Sequence, residues 1–128
     1  MKIIKIQPAF TDERGEIFDL LTTEKVDHVG MLTSKKGSIR GKHYHKIQKQ
    51  YTFVLSGKLK IVTKDVSKDG SKLEEFEIKE NEMVVFPPYC YHSLEALVNS
   101  IVLVFTTKSR VNGGYEDDTF RIENINSL

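Results

Sequence analysis

The chain has 128 residues, enough to bury one ordinary core and too few for two. Apolar residues make up 39% and charged residues 29%, a balance that excludes a disordered or collagen-like chain. A net charge of +1 argues against nucleic acid or a membrane surface as partner, and the longest apolar run, Ile101 to Phe105, is far short of the roughly 20 residues needed to span a bilayer.

Lys5 and Pro8 interrupt the apolar start, so no signal peptide is expected. Cys90 is the one cysteine and has no partner for an internal disulfide. The expected location is the cytoplasm. Charge is unevenly spread: from His28 to Lys64 there are nine cations and no acid, and the rest of the chain sets ten cations against all 18 acids. Such a stretch either solvates strand faces or builds a positive field for an anionic small ligand.

In chain order, residues 16 to 26 come nearest to a helical period, but Thr22, Thr23 and Val26 are poor helix formers and no cap precedes them, so no helix is expected there. Strand signals dominate. Tyr51 to Leu55 and Lys58 to Lys64 flank Ser56-Gly57, which reads as a two-residue hairpin turn. In the second arm Leu59, Ile61 and Thr63 alternate with Lys58, Lys60, Val62 and Lys64, giving one buried and one wet face. Lys68-Asp-Gly-Ser71 reads as the next turn, followed by alternation at Phe76 and Ile78. Met83 to Phe86 is a short buried strand stopped by Pro87-Pro88, because proline cannot donate into a ladder. Asn99-Ser100 turns the chain into Ile101 to Phe105, a strand buried on both faces. The tail from Lys108 is polar and is expected to wrap the surface. Short strands broken by Gly, Asn, Asp and Pro predict a sandwich or small barrel, a single domain over residues 1–128.

His43 and His45 are two apart, so on a strand both imidazoles point to one face, where they bind one metal ion or bracket one reacting carbon. Their surroundings carry more information. Gly37 to Gly57 resembles the first cupin motif, G-x5-H-x-H-x4-E-x6-G, with every spacing kept, and Asn81 to His92 resembles the second, G-x5-P-x-G-x2-H, keeping its proline and histidine but not its glycines. The resemblance implies an all-β fold, the double-stranded β-helix or cupin jelly-roll barrel, with His43, His45 and His92 directed into its mouth.

Gln50 replaces the acidic metal ligand of many cupins. An amide oxygen is a neutral, weaker donor, so no cofactor is favoured. A divalent metal such as zinc is the alternative, held by His43, His45, Gln50 and His92. The string Arg40-Gly-Lys-His-Tyr-His-Lys46, followed by Gln50, is similar to the sugar-nucleotide cupins, above all the dTDP-4-keto-6-deoxyhexose 3,4-ketoisomerases and more distantly the dTDP-4-dehydrorhamnose 3,5-epimerases. Asp12 to Gly15 and Tyr115 to Arg121 agree with these groups. His-Tyr-His in place of His-Ala-His resembles zinc-binding cupin domains of capsule biosynthesis.

The resemblance implies a nucleotide-diphosphate sugar as substrate, a homodimer, and proton transfer beside a ketone. The alternatives are a 3,5-epimerase and a non-catalytic metal-binding module. An imidazole of pKa about 6.5 suits the proton transfer. His43 is the expected base and His45 its partner acid or oxyanion donor. Arg40 is expected to grip the diphosphate bidentately. Gln50, His92, Arg14 and Tyr91 are the further expected substrate contacts, with surface exposure the alternative for Arg14 and core packing for Tyr91. Tyr44 is expected to pack, His28 to be structural, and Cys90 to be buried and inert.

Overall fold

The computed structural model describes residues 1–127. Along the chain run β1 (Ile4–Lys5), β2 (Phe10–Asp12), β3 (Gly15–Ile17), β4 (His28–Ser34), β5 (Ile39–Tyr44), β6 (Gln50–Ser56), β7 (Lys58–Asp65), β8 (Glu74–Lys79), β9 (Glu82–Phe86), β10 (Cys90–Ala96), β11 (Ser100–Thr106), the short helix α1 (Gly114–Asp117) and β12 (Phe120–Arg121). One antiparallel sheet has the order β1-β9-β6-β11-β4 and the other β12-β5-β10-β7-β8, while β2 and β3 form a separate ribbon. The two sheets enclose a core of Val54, Leu59, Ile61, Ile78, Val84, Phe86, Leu94, Val102 and Val104. This is the jelly roll that the motifs imply.

The path differs from the sequence reading at Ser56-Gly57. β6 pairs with β9 and β11, and β7 pairs with β10 and β8, so the two arms are not a hairpin. The chain instead crosses from one sheet to the other at Gly57, as it does again after β4, β8 and β10. The apolar residues of the two arms look the same for a hairpin and for a crossing, because each strand turns one face to the same core. Gly57 is needed for a steric reason: its φ is +102, and a Cβ there would overlap the Ser100 side chain.

The outer face of the first sheet is also apolar. Tyr51, Phe53 and Met83 are buried there, under Leu20, Leu21 and Val26 of the irregular segment between β3 and β4. This explains the unbroken apolar character of β11. Val102 and Val104 face the core, and Leu103 and Phe105 face this second cluster. The two glycines missing from the second motif are replaced by Asn81 and Tyr89, whose φ values are +67 and +64. The left-handed backbone that the motif requires is therefore kept by residues that adopt it at some cost.

We expect Gly57→Ala to lower stability by roughly 2 kcal/mol through strain at positive φ and overlap with Ser100. Urea unfolding followed by circular dichroism measures it, and an unchanged midpoint would contradict the crossing geometry.

Candidate active site

Arg40 and His43 are three residues apart, so a regular strand would send them to opposite faces. β5 brings both inward with a bulge. Opposite β10 the register passes from His92↔His43 to Ser93↔Gly41, which leaves Lys42 unpaired, and Gly41 and Lys42 take φ values of +89 and +57. A Cβ on Gly41 would lie 2.7 Å from the His92 carbonyl oxygen, so β5 approaches β10 this closely only with glycine. Beyond the bulge, His43 and His45 share the inner face and meet His92 from β10. Ring centroids are 4.8 Å apart for His43–His45 and for His43–His92, and 5.4 Å for His45–His92. All three are buried, and His92 also stacks flat on Phe86 at 4.3 Å.

Hydrogen bonds set the protons. Nδ1 of His45 lies 2.7 Å from the Asp118 carbonyl oxygen, and Nδ1 of His92 lies 3.0 Å from that of Cys90. A carbonyl only accepts, so each neutral ring carries its proton on Nδ1 and presents a bare Nε2. Both Nε2 atoms are buried without a partner. Burial, with the neighbouring His45, pushes the pKa of His43 down to about 4. It also lowers His45 and takes His92 well below its ordinary value. At neutral pH the cluster is therefore three uncharged imidazoles.

The cluster opens on a cavity of about 400 Å³. One wall comes from the second sheet: Arg40, Gly41 and His43 of β5, with His92 and Leu94 of β10. The other comes from the first sheet: Leu32 of β4, Gln50 of β6, and Val104 and Thr106 of β11. Arg110, Tyr115 and Arg121 close the mouth. The Tyr115 ring lies 6.2 Å from that of His43, under the Arg110 guanidinium at 4.0 Å, while Arg121 pairs with Glu116. A second cavity of about 350 Å³, lined in part by Met1, Lys64, Asp65 and Cys90, contains no histidine. Burial first, then Asp65, pushes its Cys90 thiol up to about 12. The histidine cavity is therefore the candidate site.

Of the residues named from sequence, His43, His92, Arg40 and Gln50 line that cavity. His45 belongs to the cluster behind it and presents a bare Nε2. Arg14 sits on the β2–β3 ribbon, 79% exposed and bound to Asp12, so it does not reach the cavity of its own chain. Tyr91 is buried on the face of β10 opposite His92 and does not line the cavity. Tyr44 packs on Tyr89 and Phe120.

The polar tail does more than wrap the surface. It contributes Arg110, Tyr115 and Arg121, and β12 pairs with β5 at Tyr44 and His43. Nothing in the spacing of Tyr115 to Arg121 marks which of its side chains face inward.

The donor set also fits a divalent ion. His43, His45 and His92 offer nitrogens that all lie within 4.8 Å of one another. Two of these rings are oriented by carbonyls, as metal-binding imidazoles commonly are. Gln50 gives its amide N–H to Thr52 Oγ1, leaving its oxygen as a neutral fourth donor.

The family model described as polysaccharide biosynthesis C-terminal domain matches residues 10–120. Among solved structures, the chain is 29% identical to a dTDP-4-dehydrorhamnose 3,5-epimerase from Sulfolobus tokodaii, with a TM-score of 0.74 over 88% of this chain and 72% of that one. A sugar 3,4-ketoisomerase from Thermoanaerobacterium thermosaccharolyticum, determined with TDP, shares the fold at 19% identity and a TM-score of 0.76, over 95% of this chain and 88% of that one. A 3,4-ketoisomerase from Helicobacter canadensis does so at 18% identity and 0.78, over 94% and 90%. No curated protein sequence matches the chain.

A buried imidazole with a lowered pKa binds its proton more readily when unfolded, so it stabilises the fold above pH 6.5 and loses that contribution as pH falls toward 4. For His43 the loss is on the order of 3 kcal/mol. We expect the urea midpoint of chelator-treated protein to fall between pH 6.5 and 4, and more shallowly in His43→Gln. Equal slopes would show that His43 is not held neutral.

Proposed function

The chain belongs to the polysaccharide biosynthesis C-terminal domain family, and from that premise we propose that it is a sugar-nucleotide 3,4-ketoisomerase acting on a dTDP-4-keto-6-deoxyhexose in surface-polysaccharide synthesis. One observation favours isomerisation over epimerisation. Every acid–base group lining the cavity, His43, His92 and Tyr115, lies on the second-sheet side or at the mouth, while the facing wall offers Leu32, Gln50, Val104 and Thr106. Moving a carbonyl between adjacent carbons can be done by one group that takes and returns the proton on one face of the sugar. Inverting a carbon needs groups on both faces.

The steps follow from the residues. The neutral ring of His43 takes the C3 proton, the C3–H electron pair becomes the C3=C4 bond, and charge moves to the C4 oxygen. Arg110 and Arg121 at the mouth, with the Tyr115 hydroxyl, stabilise that charge. Tyr115 relays the O3 proton to O4, the role expected of His45 from sequence. The His43 imidazolium then protonates C4, and the carbonyl remains at C3. Arg40, anchored to Ser34 Oγ at 3.0 Å and the Thr33 carbonyl at 2.8 Å, is fixed in place to receive a diphosphate.

The metal-binding module is the second reading, favoured by the two unpartnered Nε2 atoms. His43, His45 and His92 would hold the ion, with Gln50 as the neutral donor. Such an ion supplies Lewis-acid polarisation of a carbonyl oxygen.

Homodimerisation belongs to the proposal as well. Val29 and Met31, 60% and 64% exposed on the edge strand β4, continue the apolar outer face of the first sheet and suit a second copy. Among the described residues, no helix is long and apolar enough to cross a membrane. A nucleotide-sugar substrate is the argument for a cytoplasmic location.

Incubation with dTDP-4-keto-6-deoxyglucose in heavy water should place deuterium on the sugar, and His43→Gln should slow this at least about 1,000-fold. Activity should survive chelation; loss on chelation with recovery by zinc would replace the metal-free reading with the metal reading. Mass measurement at micromolar concentration should give a dimer, and a monomer would remove that part of the proposal.

A further inference from the structure

Asp118 is 2% exposed and none of the proposed steps uses it. Its carboxylate receives the main-chain N–H groups of the turn after β5: Oδ1 from Lys46 at 2.9 Å and Ile47 at 3.1 Å, and Oδ2 from Ile47 at 3.1 Å and Gln48 at 2.9 Å. These bonds keep its carboxyl ionised, below the usual range. The same residue offers its main-chain carbonyl to His45 Nδ1. The side chain thus fastens the tail to the turn that follows His45, while the backbone of the same residue holds the His45 proton. The next residue, Thr119, donates its Oγ1–H to the Tyr115 carbonyl, so the strap that carries Tyr115 is tied to the same point.

We propose that Asp118 is the positioning residue of this site. Its carboxylate locks the 46–48 turn against the tail, so that its own carbonyl fixes His45 in the Nδ1–H form with Nε2 aimed at His43 and His92, and so that Tyr115 stays over the cavity. The kinetic part of this inference rests on the isomerase reading above; the tautomer part does not. His92 is held by a different carbonyl, that of Cys90, and is therefore an internal control.

The test uses the full chain with ¹⁵N-labelled histidine and long-range ¹H–¹⁵N spectra. Wild type should show His45 and His92 both as Nδ1–H. Asp118→Asn, which sets an amide among N–H donors, should convert His45 to a tautomer mixture and leave His92 unchanged. In the kinetic arm kcat should fall about 10- to 100-fold with KM nearly constant, as expected for a displaced rather than deleted group.

A folded Asp118→Asn protein with an unaltered His45 signal would overturn the inference. If that variant does not fold, wild type decides: the amides of Lys46, Ile47 and Gln48 should exchange on the order of 100-fold slower than in an unfolded chain. Unprotected amides, or His45 in the Nε2–H form, would overturn it equally. A wild type without isomerase activity but with the stated tautomers would remove the functional reading and leave the positioning role standing.

Discussion

At rest three imidazoles share one small space because none of them is charged. Each positive charge added at about 5 Å from the next costs several kcal/mol in a medium that screens less well than water. This constraint explains much of the architecture. It requires acceptors for the ring protons on the side away from the cluster, and the chain supplies the carbonyls of Asp118 and Cys90. Those acceptors lie on segments brought in from outside β5, the strand that carries His43. The neutral state in turn leaves bare nitrogens facing one another, which is why the same cluster reads both as a base awaiting a carbon-bound proton and as a ligand set awaiting a cation.

The bulge in β5 is the second necessity. Without it, the Arg40 guanidinium and the His43 imidazole, which the proposal sets on two ends of one ligand, would face opposite ways. The Lys42 backbone accepts a left-handed conformation and Gly41 gives up its side chain so that both can face the same cavity. Local strain and loss of a side chain are tolerable there because β10 and β12 flank the strand on both sides.

The histidines, the arginine, the glutamine and the barrel were legible in the sequence because motif spacing is a record of strand geometry. Gly57 was legible as a break but not as a crossing, since the alternation in each arm does not say which strand lies alongside. Arg110, Tyr115, Arg121 and Asp118 were not legible as site residues. They lie in a polar segment with no period, and their inward placement follows from β12 pairing with β5 and from one buried carboxylate, both long-range events. Arg14 and Tyr91 lie outside the cavity of this chain for related reasons: the β2–β3 ribbon carries Arg14 away from it, and Tyr91 neighbours His92 in sequence but faces away from it on a strand.

The pairing of β5 with β10 and β12 also has a consequence for how the molecule comes into being. Partners lie 49 to 56 residues apart between β5 and β10 and 76 to 78 apart between β5 and β12, which gives a high contact order and slow closure relative to helical domains of similar size. During synthesis the cationic stretch from His28 to Lys64 emerges well before β10 and the tail exist. The full lining of the histidine cavity is therefore absent from any fragment that stops before Arg121, because β12 supplies the last of its side chains.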